Sequence, residues 1–139
     1  MSNAFVADSS VGVAWAVLSQ SSQATEHLLD HVASGTSFVV PVLWVFEVAN
    51  SLLVLTRRRR IAPEQYARAR RALSRLIPTV DEDGPRGALG RISDLAEKHA
   101  LSVYDAAYLE LAIRRGLPLA SRNADLNKAA KLCGAKTLL

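Results

Sequence analysis

Two hydrophobic periods alternate along this chain. Short runs, "FVAD", "SFVVP", "IPTVD", "LPLAS" and "AKTLL", are compact enough for strands and are set off by Ser, Gly, Pro or Asp. Helical patterns lie between them. Ser9 or Ser10 is placed to cap "VGVAWAVL", and "SSQATEHLLDHVASG" continues as an amphipathic helix that Gly35 closes. An apolar helix then runs to Thr56, with Pro41 suited to its first turn. After the basic turn "RRRRIAP", residues 63–76 place Tyr66, Ala69, Leu73 and Leu76 on one helical side and Arg68, Arg71 and Arg75 on another. "DEDGP" is a turn. Further helices are expected over "RGALGRISDLAEKHA", "VYDAAYLELAIRRG" and "ADLNKAAKLCG". Strands alternating with helices predict an α/β architecture with a largely parallel sheet. The length of 139 residues suits one domain, residues 1–139.

The apolar helix raises a question. Between Pro41 and Leu55 only Glu47, Asn50 and Ser51 are polar. With "RRRR" after it, the stretch imitates a membrane span with a positive flank. Starting at Pro41 makes the helix shorter than the ~17–25 residues that span a bilayer. A charge near its middle adds an insertion penalty of about 2.5–3.5 kcal/mol. The expectation is therefore a buried helix and no membrane. A carboxylate buried there without a partner costs several kcal/mol, so something must use its charge.

Composition narrows the class. Half the residues are hydrophobic and 22% are charged, which excludes a disordered chain. The single cysteine, Cys133, excludes an internal disulfide and fits a reducing cytoplasm. The start has no basic stretch followed by a long apolar one, so no secretory signal is expected. Charge is uneven. Residues 1–56 carry four acids and no Lys or Arg, whereas residues 57–75 carry eight Arg against Glu64 alone. Arg57, Arg58, Arg59, Arg60, Arg68 and Arg71 thus form a patch suited to a polyanion such as RNA, since guanidinium binds phosphate in a fork and stacks on bases. An acidic protein partner or a solvated helix face is the alternative.

In a parallel α/β sheet, ligands bind outside the carboxyl ends of the strands. Asp8 lies at such an end, Asp105 in the first turn of its helix, and Asn123 and Asp125 just after "LPLAS". If Glu47 points to the same crevice, these carboxylates need a cation, and oxygen ligands suit Mg²⁺ or Mn²⁺. Each acid also has a local explanation. Ser102 to Asp105 matches a capping box, Asp125 favours the positive end of the last helix, and Asp8 suits the following turn.

Together, "FVADSSVGVAWAV", "VVPVLWVFEVANSLL", "LSVYDAAYLELAIRRGLPLAS" and "NADLNKAA" resemble the PIN-domain proteins, especially the VapC-type toxins of toxin–antitoxin pairs. The resemblance implies a three-layer α/β/α sandwich with a mostly parallel central sheet. It also implies a Mg²⁺- or Mn²⁺-dependent endoribonuclease acting on structured RNA such as tRNA or rRNA, with a cognate VapB-like antitoxin and a homodimer. Asp8, Glu47 and Asp105 match the family's first three acids. Ser10, Asn50 and Ser121 match its supporting polar residues. The chain departs at the fourth acid, where "SRNAD" places Asn123. Either Asp125 is the working acid, or Asn123 ligates through its carbonyl oxygen without charge. The departure motivates a second reading, a non-catalytic PIN-like module that binds RNA or protein.

Other motifs add nothing to the site. His27 and His31 have zinc-helix spacing, but Leu28 stands where a metalloprotease has Glu, so they read as exposed residues. "GPRGALG" lacks the ending of a phosphate-binding loop. Trp15 and Trp44 are expected in the core.

Overall fold

The computed structural model describes residues 3–139. Its centre is a sheet of four parallel strands, β1 (Ala4–Ala7), β2 (Ser37–Pro41), β3 (Thr79–Asp81) and β4 (Leu119–Ala120), in the order β3-β2-β1-β4. The register pairs Phe5 with Phe38, Val6 with both Val39 and Leu119, and Val39 with Thr79. Phe5, Val6 and Ala7 are fully buried, as expected of a central strand covered on both faces.

Seven α-helices among the described residues complete a three-layer α/β/α sandwich. They are α1 (Ser9–Ala16), α2 (Gln23–Ala33), α3 (Trp44–Arg57), α4 (Pro63–Ser74), α5 (Ser93–His99), α6 (Val103–Arg115) and α7 (Ala124–Leu132). α1 contacts α2, α3 and α4, while α6 contacts α5, α7 and the strands β1, β2 and β4. Trp15 meets Phe5 and Phe38 edge-on, and Phe38 leans on Trp44. Each such pair adds about 0.5–1.5 kcal/mol beyond its buried area.

Several boundaries differ from the sequence expectation. Asp8, rather than Ser9 or Ser10, caps α1, because its side chain accepts from the Val11 amide. Pro41 ends β2, and α3 begins only at Trp44. The helix expected over residues 86–100 breaks into a 3₁₀ turn (Gly84–Gly87), a π turn (Ala88–Ile92) and α5. Gly90 takes non-helical angles there, and glycine adopts them without steric penalty. The final strand reduces to one bridge between Leu119 and Thr137. Lys136 and Leu138 take both backbone groups of Leu119, and the two-residue β4 offers no second rung.

The apolar helix is buried along one stripe only. Trp44, Val48 and Leu52 face the core, whereas Val45 and Phe46 are exposed. No helix among the described residues is long and apolar enough to cross a membrane.

Candidate metal centre

β1 delivers Asp8 to the carboxyl end of the sheet, where its side chain is 4% exposed. Pairing of β1 with β4 brings Ser121 beside it, although 113 positions separate the two. Asp8 Oδ1 accepts from Ser10 Oγ at 2.6 Å and from the Val11 amide at 3.2 Å. Its Oδ2 accepts from the Ser121 hydroxyl. The Trp44 indole donates to the Asp8 carbonyl at 3.1 Å and so ties α3 to the end of β1.

α3 carries Glu47 in its first turn, half-buried, with Oε1 accepting from the Tyr108 hydroxyl at 2.5 Å. Asp105 stands in the first turn of α6, where its amide donates to the capping Ser102 hydroxyl at 3.0 Å. Asn123 caps α7, with Oδ1 accepting from the Asp125 and Leu126 amides at 2.9 and 3.1 Å. Those two donors settle which way its side-chain amide faces. The Nδ2 group then points to Asp105 Oδ2, at 3.4 Å.

These acids affect one another. Burial raises the pKa of Asp8, and Asp105 raises it further. Burial also raises Glu47, with Asp105 and Asp8 adding to it. Asp105 is raised by burial and then by Asp125, which is exposed at the start of α7. Among the described residues no Lys or Arg forms an ion pair with Asp8, Glu47, Asp105 or Asp125. The ion pairs lie elsewhere, where Arg114 and Arg115 hold Asp81, and Arg114 and Arg91 hold Glu110.

Among the described residues, no three His, Cys, Asp or Glu side chains are arranged to hold a metal ion as they stand. Their chemistry fits a hard dication all the same. They offer oxygen atoms of uncompensated negative charge, and Mg²⁺ needs only one or two carboxylates because it keeps several waters. Ser10 and Ser121 hold the two oxygen atoms of Asp8 in a fixed orientation, and Tyr108 occupies Oε1 of Glu47 and leaves Oε2 for a ligand.

The other predicted residues lie apart from this cluster. Asn50 is exposed one turn beyond Glu47. Arg57 lies at the opposite end of α3, about 15 Å from Glu47 at the helical rise of ~1.5 Å per residue, and Arg58, Arg59 and Arg60 follow it, all exposed. Arg68 and Arg71 are exposed on α4. His27 and His31 turn their Nε2 atoms to each other at 3.0 Å on α2, apart from the acids. Tyr108 is a site residue that the sequence reading missed. Its signal was available, since a residue three beyond Asp105 shares its helical face. Asp81 gave no such signal, because an acid before a turn is ordinary.

Comparison with known proteins extends the picture. The family model described as PIN domain matches residues 5–132. The fold is similar to the crystal structure of PAE2754 from Pyrobaculum aerophilum, with a TM-score of 0.72 and 24% identity, covering 97% of this chain and 92% of that one. It is also similar to FitAcB from Neisseria gonorrhoeae, with a TM-score of 0.65 and 15% identity, covering 97% and 96%. No curated protein matches the sequence.

Proposed function

The chain belongs to the PIN domain family, and on that premise we propose that it is a metal-dependent endoribonuclease of the VapC type. In this reading it hydrolyses phosphodiester bonds in structured RNA, tRNA or rRNA, and acts in the cytoplasm. A VapB-like antitoxin neutralises it, and the active form is a homodimer. PIN domains are typically metal-dependent nucleases, and FitAcB, a structural neighbour, supports the family setting of the fold. One observation carries the reading to this chain. Asp8, Glu47 and Asp105, from three distant segments, are partly or wholly buried within one another's field with no basic partner among the described residues.

Asp8, Glu47 and Asp105 would hold Mg²⁺ or Mn²⁺. Such an ion, when bound, lowers the pKa of a coordinated water and polarises a phosphoryl oxygen. The chain's own groups do the rest. Ser10 and Ser121 hold the Asp8 carboxylate, so its orientation does not have to be found at each turnover. Tyr108 holds one oxygen of Glu47 and leaves the other free. Asn123 braces Asp105 from the cap of α7 while its carbonyl oxygen serves the helix. That favours Asp125 over Asn123 as the fourth acid, acting through its field or through a water.

The same geometry favours a second reading. A neutral, occupied Asn123 leaves one fewer charge than four acids supply, as in a non-catalytic module that binds RNA or protein. Cleavage of total tRNA and rRNA by the purified chain separates the two, run with Mn²⁺, Mg²⁺ or EDTA and with Asp105→Asn as control. Metal-dependent fragments absent from the control support the nuclease. RNA binding without cleavage, unchanged in Asp125→Ala, supports the module.

A further inference from the structure

A recess opens next to Ser10, a residue that holds Asp8. It holds about 330 Å³, and its lining includes Ser10, Gln20, Asn50, Ser51, Val54 and Arg122. Ser10 belongs to both places, since its hydroxyl donates to Asp8 and the residue lines this cleft. Arg122 is tied to the same point, because its peptide N–H donates to Ser10 Oγ at 2.9 Å. Its backbone is therefore two hydrogen bonds from the Asp8 carboxylate. The guanidinium donates to Gln20 Oε1 at 3.3 Å, a neutral acceptor that leaves the charge uncompensated. Among the described residues no acid forms an ion pair with Arg122, which is exposed and is the only charged side chain of the lining.

On the nuclease reading above, we propose that this cleft is a nucleotide subsite in which Arg122 binds the phosphate next to the scissile one. The base lies against Val54, with Gln20, Asn50 and Ser51 at its edges. The forked guanidinium matches a phosphate, and an unneutralised charge at the mouth of an acidic site attracts a polyanion that the acids alone repel. Gln20, Asn50 and Ser51 offer hydrogen-bonding groups of the kind that read the edges of an unstacked base, and Val13, Val54 and Leu55 supply apolar surface. The volume lies at the lower end of the roughly 300–1,000 Å³ of small-ligand sites, enough for one nucleotide. Arg57–Arg60, a helix length from Glu47, would then hold RNA further along, while Arg122 sets its position at the acids.

The test is binding of a labelled RNA stem-loop, followed by fluorescence anisotropy over a range of salt, in an Asp105→Asn background that blocks cleavage. Arg122→Ala is expected to weaken binding about five- to tenfold and to reduce the slope of log K against log salt by about 1. Ser51→Phe, which fills the base pocket, should weaken binding with the slope unchanged. Lys98→Ala, which removes a charge from α5, should change neither. Equal affinity and slope for Arg122→Ala and the background overturn the proposal, as does the absence of any RNA binding. So does a lower melting temperature for Arg122→Ala with unaltered binding, since Arg122 would then only tether Gln20. Metal-dependent cleavage is measured separately on the unmodified chain. Arg122-dependent binding without cleavage overturns the nuclease reading and with it the placement beside a scissile phosphate, and leaves Arg122 as an RNA phosphate contact only.

Discussion

The Tyr108 hydroxyl donates to Glu47 Oε1 at 2.5 Å and joins α6 to α3 across 61 positions of sequence. The bond answers why a carboxylate sits in an apolar helix. Burial first, then Asp105 and Asp8, raise the pKa of Glu47, and the hydroxyl pulls it back towards the charged form. The phenol in turn stays protonated, because burial and then Glu47 push its pKa far above the usual range.

Tyr108→Phe removes that donor and keeps the ring. The folded state should lose about 1.5–3 kcal/mol, the scale of a hydrogen bond to a charged group, measured by urea unfolding. Glu47 should then ionise at higher pH, so the acid limb of any metal-dependent activity should move upward.

Asn123→Asp tests what the departure from the family pattern does. Aspartate caps a helix as well as asparagine, so α7 should survive. The exchange replaces the donor facing Asp105 with a carboxylate. The metal-free protein should melt lower, and Mn²⁺ affinity by calorimetry should rise, on the order of tenfold for one added charged ligand. Unchanged affinity would remove position 123 from the metal's surroundings.

Raised carboxylate pKa values have a signed consequence. For Asp8, Glu47 and Asp105 the folded values lie above the unfolded ones, so the cost of ionising them in the fold grows as pH rises past the unfolded range of about 4. A dication offsets that cost and binds the ionised groups. Mn²⁺ should therefore raise the melting temperature more near pH ~7.5 than near pH ~5.

Asp81 runs the opposite way. Arg114 first, then Arg115 and the Gly84 amide, hold its pKa down to about 2, against the unfolded value of roughly 3.9. Its stabilisation is present above that unfolded value and is lost as pH falls towards 2. Asp81→Asn should destabilise by about 2–3 kcal/mol at neutral pH. The loss is smaller than for a fully buried pair because both arginines reach water. The variant should also lose part of the parent's decline in acid.

Gly12 is where α1 meets α3. A Cβ there would stand 2.7 Å from Trp44 Cζ2 and 3.0 Å from Val48 Cγ2. Gly12→Ala should cost about 1–3 kcal/mol in thermal or urea unfolding, through overpacking. It should also disturb Asp8, because Trp44 holds the Asp8 carbonyl.

Much of this protein follows from local pattern. Strand and helix periods, the position of Asp8 after an apolar run, and the first-turn placement of Asp105 and Asp125 depend on neighbours a few residues away. The chain alone therefore implied the parallel α/β architecture. The errors were local too, at places where two signals competed. Pro41 suited both a strand end and a helix start, and "AKTLL" had the composition of a strand but only Leu119 to pair with.

Tertiary structure decided which groups each polar atom meets. The β1–β4 register puts Ser121 on Asp8, the packing of α6 against α3 puts Tyr108 on Glu47, and the β3 edge gives Asp81 its two arginines. The capping of α7 likewise aims the Asn123 amide at Asp105 instead of its carbonyl. Such partners lie 18 to 113 positions apart. Hydrophobic periodicity specifies which side of an element is inward, but the bonding direction of a hydroxyl or an amide is settled only when distant elements dock in one register.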